Sequence, residues 1–208
     1  MSLTVNVWFD YLCPFSVMTS KVIADAALGP DVALRWRPYE LHPGGVPASG
    51  KRDYPEGVWE NSVVPMAERL GLDFRLAPTR RLPRTQPAMH GHRYAERHGV
   101  ALPYDNRVFD AYFHEDRDIE DPATLAELAG EVGLDPAEFH AWTVSRAAEA
   151  EHLAAQEEAR LLHRIHTVPT LVIGAWRSEG VPNALRLREV VEELTARGHR
   201  RPRQRARA

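Results

Sequence analysis

The stretch Val5-Asn6-Val7-Trp8-Phe9-Asp10-Tyr11-Leu12-Cys13-Pro14-Phe15-Ser16 constrains the fold of this chain more than any other. Val5, Val7 and Phe9 alternate with Asn6, Trp8 and Asp10, which is the period of a short strand. Pro14 then stands where a helix tolerates proline best, at the first position, because the missing N–H has no partner there anyway. Val17, Met18, Val22 and Ile23 continue at helical spacing. The sequence therefore predicts a strand that turns directly into a helix, with its single cysteine, Cys13, at the turn. A helix start carries orphan N–H groups and the positive end of the dipole, which stabilise an anion. The position thus favours a thiolate, the reactive form of cysteine. A small buried hydrophobe is the other common fate of a free cysteine. Ser16, three residues on, brings a hydroxyl within reach of the sulfur, where a hydrogen bond favours the charged form.

The helix is expected from Pro14 to Ala27, with Gly29-Pro30 as its stop. Val32 to Tyr39 reads as a second strand, with Val32, Leu34 and Trp36 on one face and Pro38 marking an end or an edge. Strand, helix, strand implies a parallel pair with a right-handed crossover. A Pro- and Gly-rich loop follows from Leu41 to Glu56. The pattern then becomes helical for more than 100 residues. One helix spans Val58 to Leu70 and closes at Gly71. An irregular segment from Leu72 to Arg84 carries Arg75, Arg80, Arg81 and Arg84. Thr85 caps the next helix, which ends at His98-Gly99. Asp105 caps a helix holding Val108, Phe109, Tyr112 and Phe113. Asp121-Pro122 and Asp135-Pro136 each pair an N-cap acid with proline at the first helical position. Asp135 with Glu138 resembles a capping box, and this last helix is expected to run on to about His163. The sheet resumes at Val168 to Ile173. Gly174-Ala175 turns the chain back along Trp176 to Glu179, and Asn183 caps a final helix.

This order predicts an α/β unit from residues 1–40 and 161–196, interrupted by an all-helical insertion at 41–160. The formal net charge of −3 suggests no general nucleic-acid affinity. Six arginines crowd residues 197–208, which are expected to form a disordered tail, and without them the body stands near −9. One cysteine excludes an internal disulfide and a zinc thiolate cluster. No signal peptide and no membrane-length apolar run is apparent, so a cytoplasmic location is expected. His163 and His166 share a helical face near the Val168 loop, and His166 is a candidate to support the thiolate. His90 and His92 point away from each other. No metal is expected.

Phe9 to Ser16 resembles the active-site start of the DsbA-like thioredoxin superfamily, specifically its FrnE-type branch. Thr167-Val168-Pro169-Thr170 resembles the loop of that superfamily in which the proline is cis and faces the cysteine. Trp36 to Pro43, and Phe109 to Phe113 with Arg117-Asp118-Ile119, are also similar to FrnE-type segments. The resemblance runs from about residue 4 to 196. It implies an α/β, thioredoxin-like fold with a large all-helical insertion over the active site. It also implies that Cys13 is the nucleophile, that Pro14 and Ser16 hold and stabilise it, and that Val168 and Pro169 align an incoming thiol. Phe15 and Thr85 fall on the substrate side of that site. Arg80, Arg81 and Arg84 read first as a solvated basic loop, with binding of a substrate carboxylate such as that of glutathione as the alternative. The redox members carry Cys-x-x-Cys, whereas Ser16 holds the second position here. Thiol–disulfide exchange then needs a second thiol from outside the chain. The partners implied are a small thiol or a protein thiol or disulfide, with no resident cofactor beyond a low-molecular-weight thiol such as glutathione. A homodimer is compatible with this reading.

Pro14-Phe15-Ser16 is also similar to the active-site turn of kappa-class glutathione transferases and 2-hydroxychromene-2-carboxylate isomerases. There a serine stands at the place of Cys13 and activates the thiol of bound glutathione. A thiol-dependent isomerase or transferase is therefore the alternative activity. A non-catalytic binding protein of the same fold is a third reading.

Overall fold

The computed structural model of the chain describes residues 3–43, 57–73 and 82–200, with side chains as far as Arg197. Four strands form one sheet: β1 (Leu3–Phe9), β2 (Val32–Pro38), β3 (Thr170–Ile173) and β4 (Trp176–Glu179). Their order is β2-β1-β3-β4. β2 lies parallel to β1, β3 antiparallel to β1, and β4 antiparallel to β3. The helix α1 (Pro14–Ala26) supplies the crossover from β1 to β2, and α8 (Ala184–Arg200) follows β4. Between β2 and β3 come a π-helical turn (Trp59–Val63) and α2 (Val64–Leu70), α3 (Gln86–Arg97), α4 (Ala101–Phe113), α5 (Pro122–Glu131), α6 (Pro136–Thr143) and α7 (Arg146–Leu161).

β1 is central, and its neighbours bury both of its faces. Val5, Val7, Leu171 and Ile173 pack against Ile23 and Ala26 of α1 and Leu187, Val190 and Val191 of α8. On the opposite face Trp8 packs with Ala159, Ile165 and Val168. Phe9 and Tyr11, past the end of the strand's shared face, join the core of the helical block. Alternation thus located the strand, but the intervening positions face a second buried layer rather than water. β2 is an edge strand that ends at Pro38, where the missing N–H costs no ladder bond. Leu34, expected to point inward, is 40% exposed, because no described residue covers that end of the edge.

Asp121 and Asp135 cap α5 and α6, each accepting from two first-turn N–H groups. Glu138 uses its carboxylate to accept from the Tyr94 hydroxyl at 3.1 Å. Asn183 accepts from Arg186 N at 3.1 Å at the start of α8. Four expectations differ from the structure. Asp105 is not a cap: α4 starts earlier, at Ala101, because Pro103 falls within the first turn, where no intrahelical donor is required. Thr85 stands at the N-cap of α3 but does not cap it, since its backbone is already helical (φ −90°, ψ −6°). The helix from Pro136 does not continue to His163; it stops at Thr143, and Ser145 caps α7 through Ala148 N at 3.1 Å. Residues 197–200, assigned to a tail, complete α8. Residues 201–208 and most of the loop and arginine-bearing segments (44–56 and 74–81) lie outside the described residues.

Close approach inside the helical block depends on Gly91 in α3. A Cβ there would meet Tyr104 Oη at 2.2 Å and Phe139 Cζ at 2.5 Å, and both side chains are fully buried. Gly91→Ala is expected to lower stability by about 1–3 kcal/mol through overpacking, read as a lower urea midpoint at unchanged m-value.

Candidate active site

Cys13 occupies the N-cap of α1 in extended conformation (φ −90°, ψ 108°), and Pro14 takes the first helical position. The turn that delivers it is closed by Cys13 N donating to Asp10 O at 3.1 Å and Ser16 N donating to Cys13 O at 2.9 Å. Cys13 packs in an apolar cluster with Trp8, Ala159, Ile165 and Val168, and Phe15, Tyr39 and Leu41 pack against that cluster. Cys13 is 5% exposed. Its Sγ donates to the Val168 carbonyl oxygen at 3.5 Å, across 155 residues of chain. The Val168–Pro169 peptide bond is cis. Thr170 Oγ1 donating to Thr167 O at 2.7 Å and Gly180 N donating to Pro169 O at 2.8 Å hold that loop against the hairpin.

The helix start does not make Cys13 a thiolate in this environment. Burial pushes the thiol up to about 11; the Ser16 hydroxyl and the Ser16 and Phe15 amides work against that rise, and the charge of Asp10 adds to it. The hydrogen bond to Val168 O also favours the neutral form, because only S–H can donate it. Desolvation therefore outweighs the helix end, and the resting sulfur is a thiol.

Asp10, three residues before Cys13, is 1% exposed. Its carboxylate accepts from Leu12 N at 3.2 Å and Leu41 N at 2.8 Å, while its own N–H donates to Ser16 Oγ at 3.4 Å. Burial raises its pKa to about 6, opposed by the two amides and by Thr85, and reinforced by the charge of Glu40. Thr85 Oγ1 is buried without a regular hydrogen bond to any described residue; it lies beside the Asp10 carboxyl. Glu40 is buried in turn, with Arg84 at 3.3 Å and His152 Nε2 at 3.5 Å. Burial works to raise its pKa, but His152 and Arg84 outweigh burial and hold it low.

The sequence-predicted residues Cys13, Pro14, Phe15, Ser16, Val168 and Pro169 converge here, and Thr85 faces the same turn through Asp10. Others do not converge. Arg84 donates to Glu40 through Nε and Nη2, both at 3.3 Å, and Arg80 and Arg81 lie outside the described residues. His166 is exposed and is not among the groups that shift Cys13. His163 pairs with Glu158, and its ring lies tilted against Trp8 with centroids 4.9 Å apart. His90 and His92 do diverge, to Thr143 O and to Asp105. Among the described residues no cluster of three metal-ligating side chains occurs. Sequence reasoning missed Asp10, Glu40, Ala159 and Ile165. One signal for Asp10 was present: Trp8 shares its alternation phase, and an aromatic there means that the face is covered. Also missed was Tyr11, whose hydroxyl donates to Asp105 at 2.5 Å while His92 Nδ1 lies 2.9 Å from the same carboxylate. That link ties the cysteine turn to α3 and α4.

A central parallel pair extended by an antiparallel hairpin, with a helical block between them, defines a thioredoxin-like fold carrying a large all-helical insertion. The chain belongs to the DsbA-like thioredoxin domain family, and the match spans residues 4–195. The uncharacterized protein YwbO of Bacillus subtilis (strain 168) is 34% identical over 176 residues, covering 84% of this chain and 88% of that one. Among solved structures, a probable DsbA oxidoreductase from Streptomyces coelicolor superposes with a TM-score of 0.77 at 23% identity, over 96% of this chain and 92% of the other. A 2-hydroxychromene-2-carboxylate isomerase gives 0.75 at 19% identity, over 94% and 98%. The cytosolic disulfide reductase DsbM from Pseudomonas aeruginosa, solved with GSH, gives 0.66 at 18%, over 93% and 100%. Among the described residues no helix is long and apolar enough to cross a membrane.

The raised Asp10 value links to stability. The unfolded carboxyl titrates near 3.8 and the folded one near 6, so the native state binds this proton more tightly. Its stabilising contribution is full below pH 3.8 and is lost as pH rises through about 6. The loss is about 3 kcal/mol between the two limits. Comparing urea midpoints of wild type and Asp10→Asn from pH 4 to pH 7.5 should show wild type losing stability relative to the variant as pH rises. Parallel curves would contradict the assignment.

Proposed function

We propose that this protein is a thiol–disulfide oxidoreductase of the DsbA type, FrnE-like and cytoplasmic, that works with one sulfur. The observation that carries this reading is the single cysteine placed 3.5 Å from the Val168 carbonyl, within an apolar cluster at a helix start. In the first half-reaction a bound disulfide displaces that carbonyl, and Cys13 gives up its proton. The Ser16 hydroxyl and the Phe15 and Ser16 amides then face the anion. Cys13 Sγ attacks one sulfur of the disulfide; a Cys13–S–S–R bond forms, and the other sulfur leaves as a thiolate that takes a proton. In the second half-reaction an external thiolate attacks the mixed disulfide and releases Cys13. The net result is one exchange: the starting disulfide gives up one thiol, one external thiol is consumed, and a new disulfide joining that external thiol to R is released. Val168 and Pro169 align the incoming sulfur, Phe15 and Thr85 border its site, and the helical block covers it. The second thiol is a low-molecular-weight compound such as glutathione or a protein thiol.

A second reading is favoured by the protonated state of Cys13. A neutral S–H at a helix start can donate to the thiolate of a bound cofactor, as required of a thiol-dependent isomerase or transferase with Pro14-Phe15-Ser16 at this turn. The two readings separate on the fate of the sulfur.

Incubation with oxidised glutathione followed by intact-mass measurement is expected to give a gain of one glutathionyl group on wild type and none on Cys13→Ser. Thiol binding of equal affinity in both proteins, without a mass gain, would instead select the isomerase or transferase reading. Ser16→Ala is expected to slow mixed-disulfide formation about tenfold, the equivalent of about 1.4 kcal/mol for a hydrogen bond to a charged group.

A further inference from the structure

We propose that Asp10 and Glu40 form a two-carboxylate relay by which the helical block sets how readily Cys13 ionises: Asp10 acts on the sulfur, and Glu40 is a positioning residue that acts through Asp10. The relay deepens the proposed function and rests on Cys13 being the reacting group.

The geometry places Asp10 on the cysteine turn from several sides. Its Oδ1 accepts from Leu12 N, the residue next to Cys13; its carbonyl accepts from Cys13 N; its N–H donates to Ser16 Oγ. Its other carboxylate oxygen accepts from Leu41 N, which directly follows Glu40. Glu40 is clamped along its backbone by Gln156 of α7, which accepts from Glu40 N and donates to Glu40 O, both at 3.0 Å. Its side chain, 2% exposed, meets Arg84 from the segment entering α3 and His152 from α7. Behind His152 stands His90 of α3, with ring centroids 5.5 Å apart; its Nδ1 lies 2.8 Å from Thr143 O, and Glu149 of α7 acts on it electrostatically. Arg84 is itself anchored, its N–H donating to Glu120 at 3.0 Å.

Two carboxylates therefore share one dry junction, and like charges in such a place oppose each other's ionisation. The charge of Glu40 raises Asp10, and the charge of Asp10 raises Cys13. Both basic side chains that meet Glu40 among the described residues, Arg84 and His152, come from the helical block. Seating of that block on the sheet neutralises Glu40 and so sets the field at Asp10. Neither carboxylate is consumed in the thiol exchange written above.

The test is the pH profile of Cys13 alkylation by iodoacetamide, from about pH 5 to pH 10, for wild type, Asp10→Asn, Glu40→Gln and the double variant. Wild type is expected to show a plateau near the Asp10 midpoint of about 6, where the newly formed charge holds the thiol back. Asp10→Asn should remove the plateau and raise the rate at pH 8 about tenfold, one unit in the thiol. Glu40→Gln should move the plateau to lower pH and leave the rate at pH 8 within about twofold, and it should have no effect in the Asp10→Asn background. An Asp10→Asn profile superimposed on wild type, or a Glu40→Gln shift of equal size in both backgrounds, would overturn the relay. Should Asp10→Asn not fold, carbon-13 titration of the Asp10 carboxyl decides. A midpoint that falls in Glu40→Gln supports the relay, and an unmoved one refutes it. None of these readouts involves disulfide exchange, so their outcome is independent of the mixed-disulfide result.

Discussion

Because β1 runs into α1 with only a tight turn between them, the Cys13 sulfur is delivered to the end of the central strand, where Val168, Ile165 and Ala159 already close off water. Everything else in the site answers to that desolvation. A thiolate there loses most of its solvation, and the helix start returns only part of it through the Ser16 and Phe15 groups. Proximity to a helix N-terminus is thus a weak predictor of thiol acidity when the sulfur is buried. The same dipole that activates an exposed cysteine leaves this one protonated.

Much of the fold was legible because the signals were local. Alternation at Val5, Val7 and Phe9, proline at Pro14, and the Asp-Pro caps at Asp121 and Asp135 each depend on a few neighbouring residues, and each marks a real element. The failures are those in which a distant partner takes over a residue. Asp105 looked like a cap and instead holds the Tyr11 hydroxyl and His92 within the core. Arg84 read as part of a solvated basic loop and instead pairs with the buried Glu40. The site was half legible in the same sense. Cys13, Ser16 and Val168-Pro169 sit in short motifs, whereas Asp10 and Glu40 acquire their meaning only once Leu41 and α7 fold over them.

The helical block is joined to the sheet by polar contacts as well as packing. Tyr11 to Asp105 on one side, and Glu40 to Arg84, His152 and Gln156 on the other, bracket the cysteine turn. Buried pairs of this kind contribute little net stability, yet removing one partner leaves a charge without compensation. Here they fix where the block seats on the sheet, with Cys13 beside the junction.

Ser16 gives that seat its chemical sense. With a second cysteine at this position, the chain could close its own disulfide beneath the block and release a product without help. With serine, any covalent adduct on Cys13 has to wait for an external sulfur to reach it. In the proposed mechanism that sulfur has to reach Cys13 past Trp8, Phe15, Tyr39 and Leu41, which pack around it. Under the one-sulfur mechanism proposed above, selectivity for the second thiol would reside in the seating of the helical block rather than in the cysteine turn itself.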